Sequence, residues 1–160
     1  MAMQLQKILC AVDFSAASRA ALHVATDLAQ KFGASLTLLH VYQAPVYPLP
    51  DGYIPMRPTV VTEAFERIDH ALAEWSREAK ERGVAQVEAL SVQGSPWHEV
   101  VRYAREQRQD LIVVGKHGHS GLRDRLIGSV AERVVRHAPC PVLTVHAEDD
   151  PAAAPAPQGP

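Results

Sequence analysis

The segment 111–129, LIVVGKHGHSGLRDRLIGS, constrains the fold more than any other part of the chain. Its first four residues form a fully apolar run, which is typical of a strand buried on both faces of a parallel sheet. The run ends at Gly115, a glycine-rich loop follows, and the next apolar pattern predicts a helix from Ser129 to His137. A buried strand followed by a loop and a helix is the repeating unit of an α/β protein.

The rest of the chain repeats this alternation. Apolar runs predict further strands over 7–12, 35–41, 85–92 and 141–145. Apolar positions spaced by three and four predict further helices over 17–32, from 61 to near Gly83, and over 96–106. Because crossovers between parallel strands are right-handed, these elements predict a doubly wound α/β fold with five parallel strands and four helices. Ligands of such sheets bind beyond the carboxyl ends of the strands, where Asp13 and Gly115 leave the two most apolar strands.

Two segments do not fit the alternation. The stretch 42–58 contains five prolines, so it is predicted to be neither a helix nor a central strand. A mobile connection, a lid and a dimer contact are all open interpretations of such a long loop. The last residues are mostly alanine, proline and acidic residues with nothing to bury. We therefore expect one domain over 1–146 and a disordered tail over 147–160.

Composition excludes several classes of protein. A chain of 160 residues suits a single domain with a full core. Its formal net charge of −2 argues against a nucleic-acid binder that relies on a generally basic surface. No apolar run approaches the roughly 18–20 residues of a membrane span, and the amino-terminal residues lack a signal-peptide pattern, so we expect a cytoplasmic protein. Cys10 and Cys140 lack zinc-ligand spacing and are interpreted as buried residues, with redox sensing by Cys140 as the alternative.

The glycine-rich loop has three features that suit a polyphosphate. Its glycines allow backbone amides to approach a ligand closely. Lys116, Arg123 and Arg125 supply positive charge. Ser129 begins the predicted helix, where unpaired amides and the helix dipole favour an anion.

Two better-known phosphate motifs fail on spacing. A Walker loop requires Gly-Lys-Ser/Thr after its second glycine, but Gly121 is followed by Leu122. The dinucleotide fingerprint requires Gly-x-Gly-x-x-Gly after the first strand, where this chain has Asp13-Phe14-Ser15. The residues alone therefore indicate a general phosphate site.

The spacing Gly115-x-x-Gly118, nine residues, then Gly128-Ser129 resembles the ATP-binding subclass of the universal stress protein family. The opening KILCAVDFSAASRAALHVA and the segment SVAERVVRHAPCPVLTV resemble the same family, and the resemblance covers about residues 5–146. It implies an adenine nucleotide α-hydrolase-like fold with strand order 3-2-1-4-5. It also implies ATP between the ends of the first and fourth strands, and a homodimer built through the last strand, from Pro141 to Val145.

The resemblance further implies which residues contact ATP. The adenosine would meet Ala11, Val12, Asp13 and Val41, with the Asp13 carboxylate near the base and ribose. The ribose and phosphates would meet Gly115, Gly118, Gly128, Ser129 and Val130. Lys116, His117 and Arg125 lie in the same loop, beside the expected phosphates, and complete the candidate set. The resemblance itself implies no role for His117 or His119. Mg²⁺ would be bound chiefly by the phosphates.

Each candidate has a purely structural alternative. Asp13 could cap the first helix or the turn before it, and Ser129 with Glu132 has the spacing of a capping box. The cations of the loop could form only a charged surface. His117-x-His119 resembles half of a metal site, but the other six histidines are scattered along the chain, so we interpret this pair as solvated loop histidines.

The function predicted from these residues is a dimeric, nucleotide-sensing stress-response module with at most slow ATP hydrolysis. One alternative is a nucleotide-free interaction module. Another is an adenine-nucleotide α-hydrolase, which requires a glycine-rich loop where this chain has 13–18, DFSAAS. A phosphoryl-receiver domain requires an Asp after the third strand, where 91–94 reads SVQG. Ser15, Ser18 and His40 lack the GxSxG elbow of a serine hydrolase.

Overall fold

The computed structural model describes residues 4–43, 46–49, 52–55, 57–118 and 127–150. The elements of this part, in chain order, are β1 (Lys7–Val12), α1 (Ala16–Phe32), β2 (Ser35–Tyr42), β3 (Val46–Leu49), β4 (Gly52–Pro55), α2 (Pro58–Glu81), β5 (Val87–Gln93), α3 (Pro96–Glu106), β6 (Leu111–Gly115), α4 (Ser129–His137) and β7 (Val142–Val145). A single 3-10 turn, Ala147–Asp149, follows β7. Residues 151–160 lie outside the described part, so the disordered tail stays a prediction.

The main sheet has five strands in the order β5-β2-β1-β6-β7, and every pair is parallel. When the strands of this sheet alone are numbered along the chain, the order is 3-2-1-4-5, which confirms the predicted doubly wound α/β fold. Along the chain, β2 and then β5 are added on one side of β1, and β6 and then β7 are added on its other side. The sheet therefore has its switch point between the carboxyl ends of β1 and β6, where Ala11 pairs with Val114.

Two hydrophobic layers cover the two faces of the sheet. Successive side chains of a strand point to opposite faces, so the fully buried Ile8 and Leu9 belong to different layers. The layer with Ile8 also contains α1 and α2, whereas the layer with Leu9 contains α3 and α4. Cys10 is fully buried and Trp75 of α2 is 8% exposed, so both are core residues as predicted.

The ends of α1 follow from its sequence. The Ser15 hydroxyl accepts a hydrogen bond from the Ser18 amide at 3.2 Å and caps the amino terminus. Gly33 adopts a left-handed conformation, φ 66°, and ends the helix as predicted. Helix α2 begins at Pro58, earlier than the predicted start at Val61, because a proline is readily accommodated in the first turn.

The proline-rich stretch contains a hairpin that the sequence analysis did not predict. Strands β3 and β4 pair antiparallel in a separate two-stranded sheet, with Pro48 opposite Tyr53. Both strands of a two-stranded sheet are edge strands with a partner on one side only. A proline, which has no amide hydrogen to donate, is tolerated in such a strand. Across the part of the chain that the structure describes, no helix is both long and apolar enough to span a membrane.

Candidate functional site

A cleft of about 320 Å³ lies at the carboxyl ends of β1 and β6, where the strand order reverses. It brings together every predicted site residue except Arg125, which lies outside the described residues along with Arg123 and His119. The lining also contains residues that the sequence analysis missed: Ser18, Leu39, Pro96, Val100, Val114 and Ala131. Leu39 could have been found from its alternation with Val41, since both point to one face of β2.

The floor of the cleft is apolar. Leu39 is fully buried and Val100 of α3 is 2% exposed, and Val41, Ala11 and Val114 extend the same surface. Aliphatic side chains from three neighbouring strands, β2, β1 and β6, and from α3 form a slot that suits a flat apolar group.

Glycines at the rim allow the two sides of the cleft to approach each other. A Cβ atom on Gly118 would lie 2.7 Å from Asp13 Oδ2. A Cβ atom on Gly128 would lie 3.0 Å from the Lys116 carbonyl oxygen, to which the Gly128 amide donates a hydrogen bond of 2.7 Å. The two ends of the glycine-rich loop are thereby joined, and the backbone rather than side chains forms the rim.

Helix α4 directs its amino terminus toward the cleft. Its first intrahelical bond runs from the Glu132 amide to the Gly128 carbonyl, so the amides of Ser129, Val130 and Ala131 have no acceptor within the helix. All three residues line the cleft. Free amides and the positive end of the helix dipole make this a favourable position for an anion.

The capping-box interpretation of Ser129 is wrong. Gly128, with φ −69° and ψ 154°, is the N-cap, and Ser129 is the first helical residue. A capping box requires the serine at the N-cap itself. The Ser129 side chain is therefore not needed to cap α4.

Asp13 combines a structural contact with a position in the cleft. Its Oδ1 accepts a hydrogen bond of 3.0 Å from the Ser15 amide, so it stabilises the turn before α1 while Ser15 caps the helix. The Asp13 amide donates to Ser18 Oγ at 3.3 Å. Since Oδ2 faces Gly118, the turn contact leaves part of the carboxylate directed at the cleft.

A second basic residue that the sequence analysis missed lies beside Lys116. Lys116 Nζ is 2.8 Å from His146 Nε2, and because an ammonium group only donates, His146 Nε2 accepts. The ring of His117 is 6.3 Å from that of His146. Among the described residues no group of three or more His, Cys, Asp or Glu side chains is placed to hold a metal ion. His146 follows β7 directly, so the adjacency of β6 and β7 was the signal that could have found it.

Ser18 and His40, considered above as parts of a serine hydrolase, have structural partners. Ser18 Oγ donates to the Ser15 carbonyl at 3.2 Å. His40 Nδ1 donates to the Val12 carbonyl at 2.8 Å, and its ring packs on Phe14. These contacts place His40 with the side chains on the opposite face of the sheet from the cleft.

Comparisons with known proteins agree with this architecture. Residues 4–146 match the model of the universal stress protein family. The universal stress protein YxiE of Bacillus subtilis (strain 168) is 36% identical over 149 residues, which cover 87% of this chain and 97% of that protein. The structure of the universal stress protein UspA from Lactobacillus plantarum has a TM-score of 0.76 at 28% identity, covering 89% of this chain and 98% of that one. A universal stress protein in complex with cAMP has a TM-score of 0.68 at 29% identity, covering 90% of this chain and 98% of that one. The chain described here belongs to the universal stress protein family.

Proposed function

We propose that this protein binds ATP in the cleft between β1 and β6 and acts as a dimeric nucleotide-sensing module. The observation that carries the proposal is the convergence of an apolar slot, a carboxylate and an unpaired helix amino terminus in one cleft. A base, a ribose and a phosphate chain need these three environments in that order. The complex of a related protein with cAMP supports the choice of an adenine nucleotide.

The slot formed by Ala11, Leu39, Val41 and Val100 would take the adenine ring. Asp13, next to this slot, offers carboxylate oxygens to hydroxyl or amino groups of the adenosine. The polar edge of the nucleoside would then lie beside Asp13, the one carboxylate in the described lining of the cleft.

The phosphates would lie against the glycine backbone and the amino terminus of α4. The amides of Ser129, Val130 and Ala131 donate without needing a side chain, and Lys116 adds a positive charge beside them. Mg²⁺ would be held chiefly by the phosphates, because it keeps several of its water ligands and needs few ligands from the protein.

Slow hydrolysis at most follows from the same lining. Asp13 would contact the adenosine rather than the phosphates, so it is not placed to act as a general base for water that attacks the phosphate chain. No other described residue of the lining carries a carboxylate. Release of inorganic phosphate or pyrophosphate at rates typical of an enzyme would overturn this part of the proposal.

The binding proposal is tested with two valines of similar exposure. Val130 is 37% exposed and lines the cleft, whereas Val60 is 42% exposed near the start of α2. Equilibrium dialysis with ATP should show weakened binding for Val130→Trp and unchanged binding for Val60→Trp. Equal binding by the two variants would contradict the site, and no binding by the unaltered protein would favour a nucleotide-free interaction module.

We place the dimer contact at β7. This strand pairs with β6 on one side, and Leu143 within it is 37% exposed. Val135 of the adjacent α4 is 50% exposed, so pairing with a second copy would cover apolar surface. Analytical ultracentrifugation should find a dimer that Leu143→Asp converts to a monomer, while Val60→Asp leaves it intact. A dimer that survives Leu143→Asp would exclude this contact.

A further inference from the structure

Phe14, directly after the cleft residue Asp13, has a backbone conformation that is rare for its side chain. Its φ is 62°, in the left-handed region, where a bulky residue is a steric outlier. Among the described non-glycine residues only Arg108 shares a positive φ, and it follows the end of α3, where left-handed residues are common. Phe14 lies instead between a strand and a helix at the candidate site, where such strain persists only if the surroundings enforce it.

Two aromatic side chains enforce it. The Phe14 ring packs on His40 with centroids 4.8 Å apart, and it meets Trp75 of α2 edge to face at 5.2 Å. The Arg19 guanidinium lies over the Trp75 ring, 5.0 Å from its centroid. Since Leu39 and Val41 face the cleft, His40 between them points to the opposite side of the sheet. The Phe14 ring is therefore anchored on the side of the sheet away from the cleft.

Hydrogen bonds fix the residues before it. His40 Nδ1 donates to the Val12 carbonyl, and the Asp13 amide donates to Ser18 Oγ. His40 thus contacts both the backbone before Asp13 and the ring after it. A change of φ at Phe14 would have to rotate either Asp13 or the first turn of α1, and both are held.

We propose that Phe14 is a positioning residue of the nucleotide site: its ring, packed between His40 and Trp75, holds the left-handed turn that directs Asp13 into the cleft. This inference rests on the proposed ATP binding. Phe14 is not among the described residues that line the cleft, so its effect on the nucleotide would be transmitted through Asp13. The aromatic cluster is thus part of the site although none of its rings lines the cleft.

The test separates the ring from the backbone conformation. Phe14→Gly removes the ring but adopts the left-handed conformation freely, and Phe14→Leu keeps apolar bulk without a flat ring. ATP affinity, measured by titration calorimetry, should fall about tenfold in both variants. Phe14→Tyr should restore affinity to within about twofold, and Phe32→Ala, at a phenylalanine that is 56% exposed at the end of α1, should leave it unchanged.

A double-mutant cycle with Asp13→Ala distinguishes positioning from general destabilisation. If Phe14 acts through Asp13, adding Phe14→Leu to Asp13→Ala causes no further loss of affinity, although urea unfolding still shows its cost in stability. Independent losses that add would overturn the proposal, and so would full ATP affinity in Phe14→Gly and Phe14→Leu. Absence of ATP binding in the unaltered protein would instead overturn the proposed function, so the two failures are distinguishable.

Discussion

Gly118 and Asp13 approach so closely across the cleft that a Cβ atom on the glycine would lie 2.7 Å from the Oδ2 atom of the carboxylate. The contact joins the loop after β6 to the turn after β1, which are far apart in sequence and adjacent in the sheet. Because Asp13 is fixed by its own turn, a larger residue at 118 would displace the loop.

Gly118→Val should therefore weaken ATP binding at least about tenfold. Gly118 is exposed, so the free energy of unfolding should change by less than about 1 kcal/mol. Equilibrium dialysis and urea unfolding measure the two quantities. Gly33→Asn is a suitable control, because it changes a glycine that ends α1 with open space around it. Normal ATP binding by Gly118→Val would show that the loop adjusts without harm to the site.

Gly115→Ala should destabilise the fold itself. A Cβ atom there would lie 2.8 Å from the Ala17 carbonyl carbon and 2.9 Å from the Ser18 amide nitrogen, both in the backbone of α1. The helix must shift to accept a methyl group, and overpacking of this kind costs about 1–3 kcal/mol. Urea unfolding measures the loss. An unchanged unfolding midpoint would mean that α1 is less tightly seated on β6 than the structure indicates.

Lys116→Gln should weaken binding of ATP without affecting binding of adenosine, because its charge lies at the phosphate end of the cleft. The side chain is partly exposed and therefore screened, so the expected loss is roughly three- to tenfold. The loss should shrink at high salt. Lys31→Gln, at an exposed lysine near the end of α1, is the matched control. Equal effects on ATP and adenosine would contradict a role in phosphate binding.

The two thiols should be poorly reactive in the native protein. Burial raises the pKa of Cys10 to about 12. The pKa of Cys140 is raised as well, by partial burial and then by the nearby charge of Asp110. Because the thiolate is the reactive form, a disulfide reagent at neutral pH should modify Cys140 slowly and Cys10 only on unfolding. Rapid modification of Cys140 in the folded protein would restore the redox-sensing alternative.

The Cys10 pKa also predicts a loss of stability in alkali. Above the ordinary value of 9.0 the thiol of the unfolded chain loses its proton while the buried one keeps it until about pH 12. The unfolded state then binds fewer protons, so the free energy of unfolding falls by up to about 1.4 kcal/mol per pH unit. Cys10→Ala should have a shallower decline than the unaltered protein between these limits. Parallel declines would show that other groups account for the whole effect.

Much of the fold could be predicted because the informative patterns are local. The bounds of β1 and α4 match the predicted residues. A continuous apolar run that ends at Asp13 marks the end of β1, and apolar residues at helical spacing after Ser129 mark α4. The strand order came from a family resemblance, because periodicity does not record which strands become neighbours. Most of the candidate lining was also predicted from that resemblance, whereas Asp13 and Gly115 could be placed from the residues alone, because each ends one of the two most apolar strands.

What was missed depends on contacts between distant parts of the chain. The hairpin of β3 and β4 contains prolines at positions that only its two-stranded pairing makes acceptable. The Lys116–His146 contact and the packing of Phe14 on Trp75 join residues far apart in sequence. Ser129 was misassigned because the extended residue before a helix can be a glycine without any side-chain cap.

The Lys116 amide donates to the Val145 carbonyl at 2.8 Å, which extends the pairing of β6 and β7 by one residue into the cleft. The residue that begins the glycine-rich loop is thus attached to the last strand of the sheet. If a partner displaced β7 on docking and this hydrogen bond were kept, Lys116 would move with the strand, and the affinity of the proposed nucleotide site would depend on that partner. Thermodynamic linkage makes that dependence mutual, so occupancy of the cleft would alter partner affinity by the same factor.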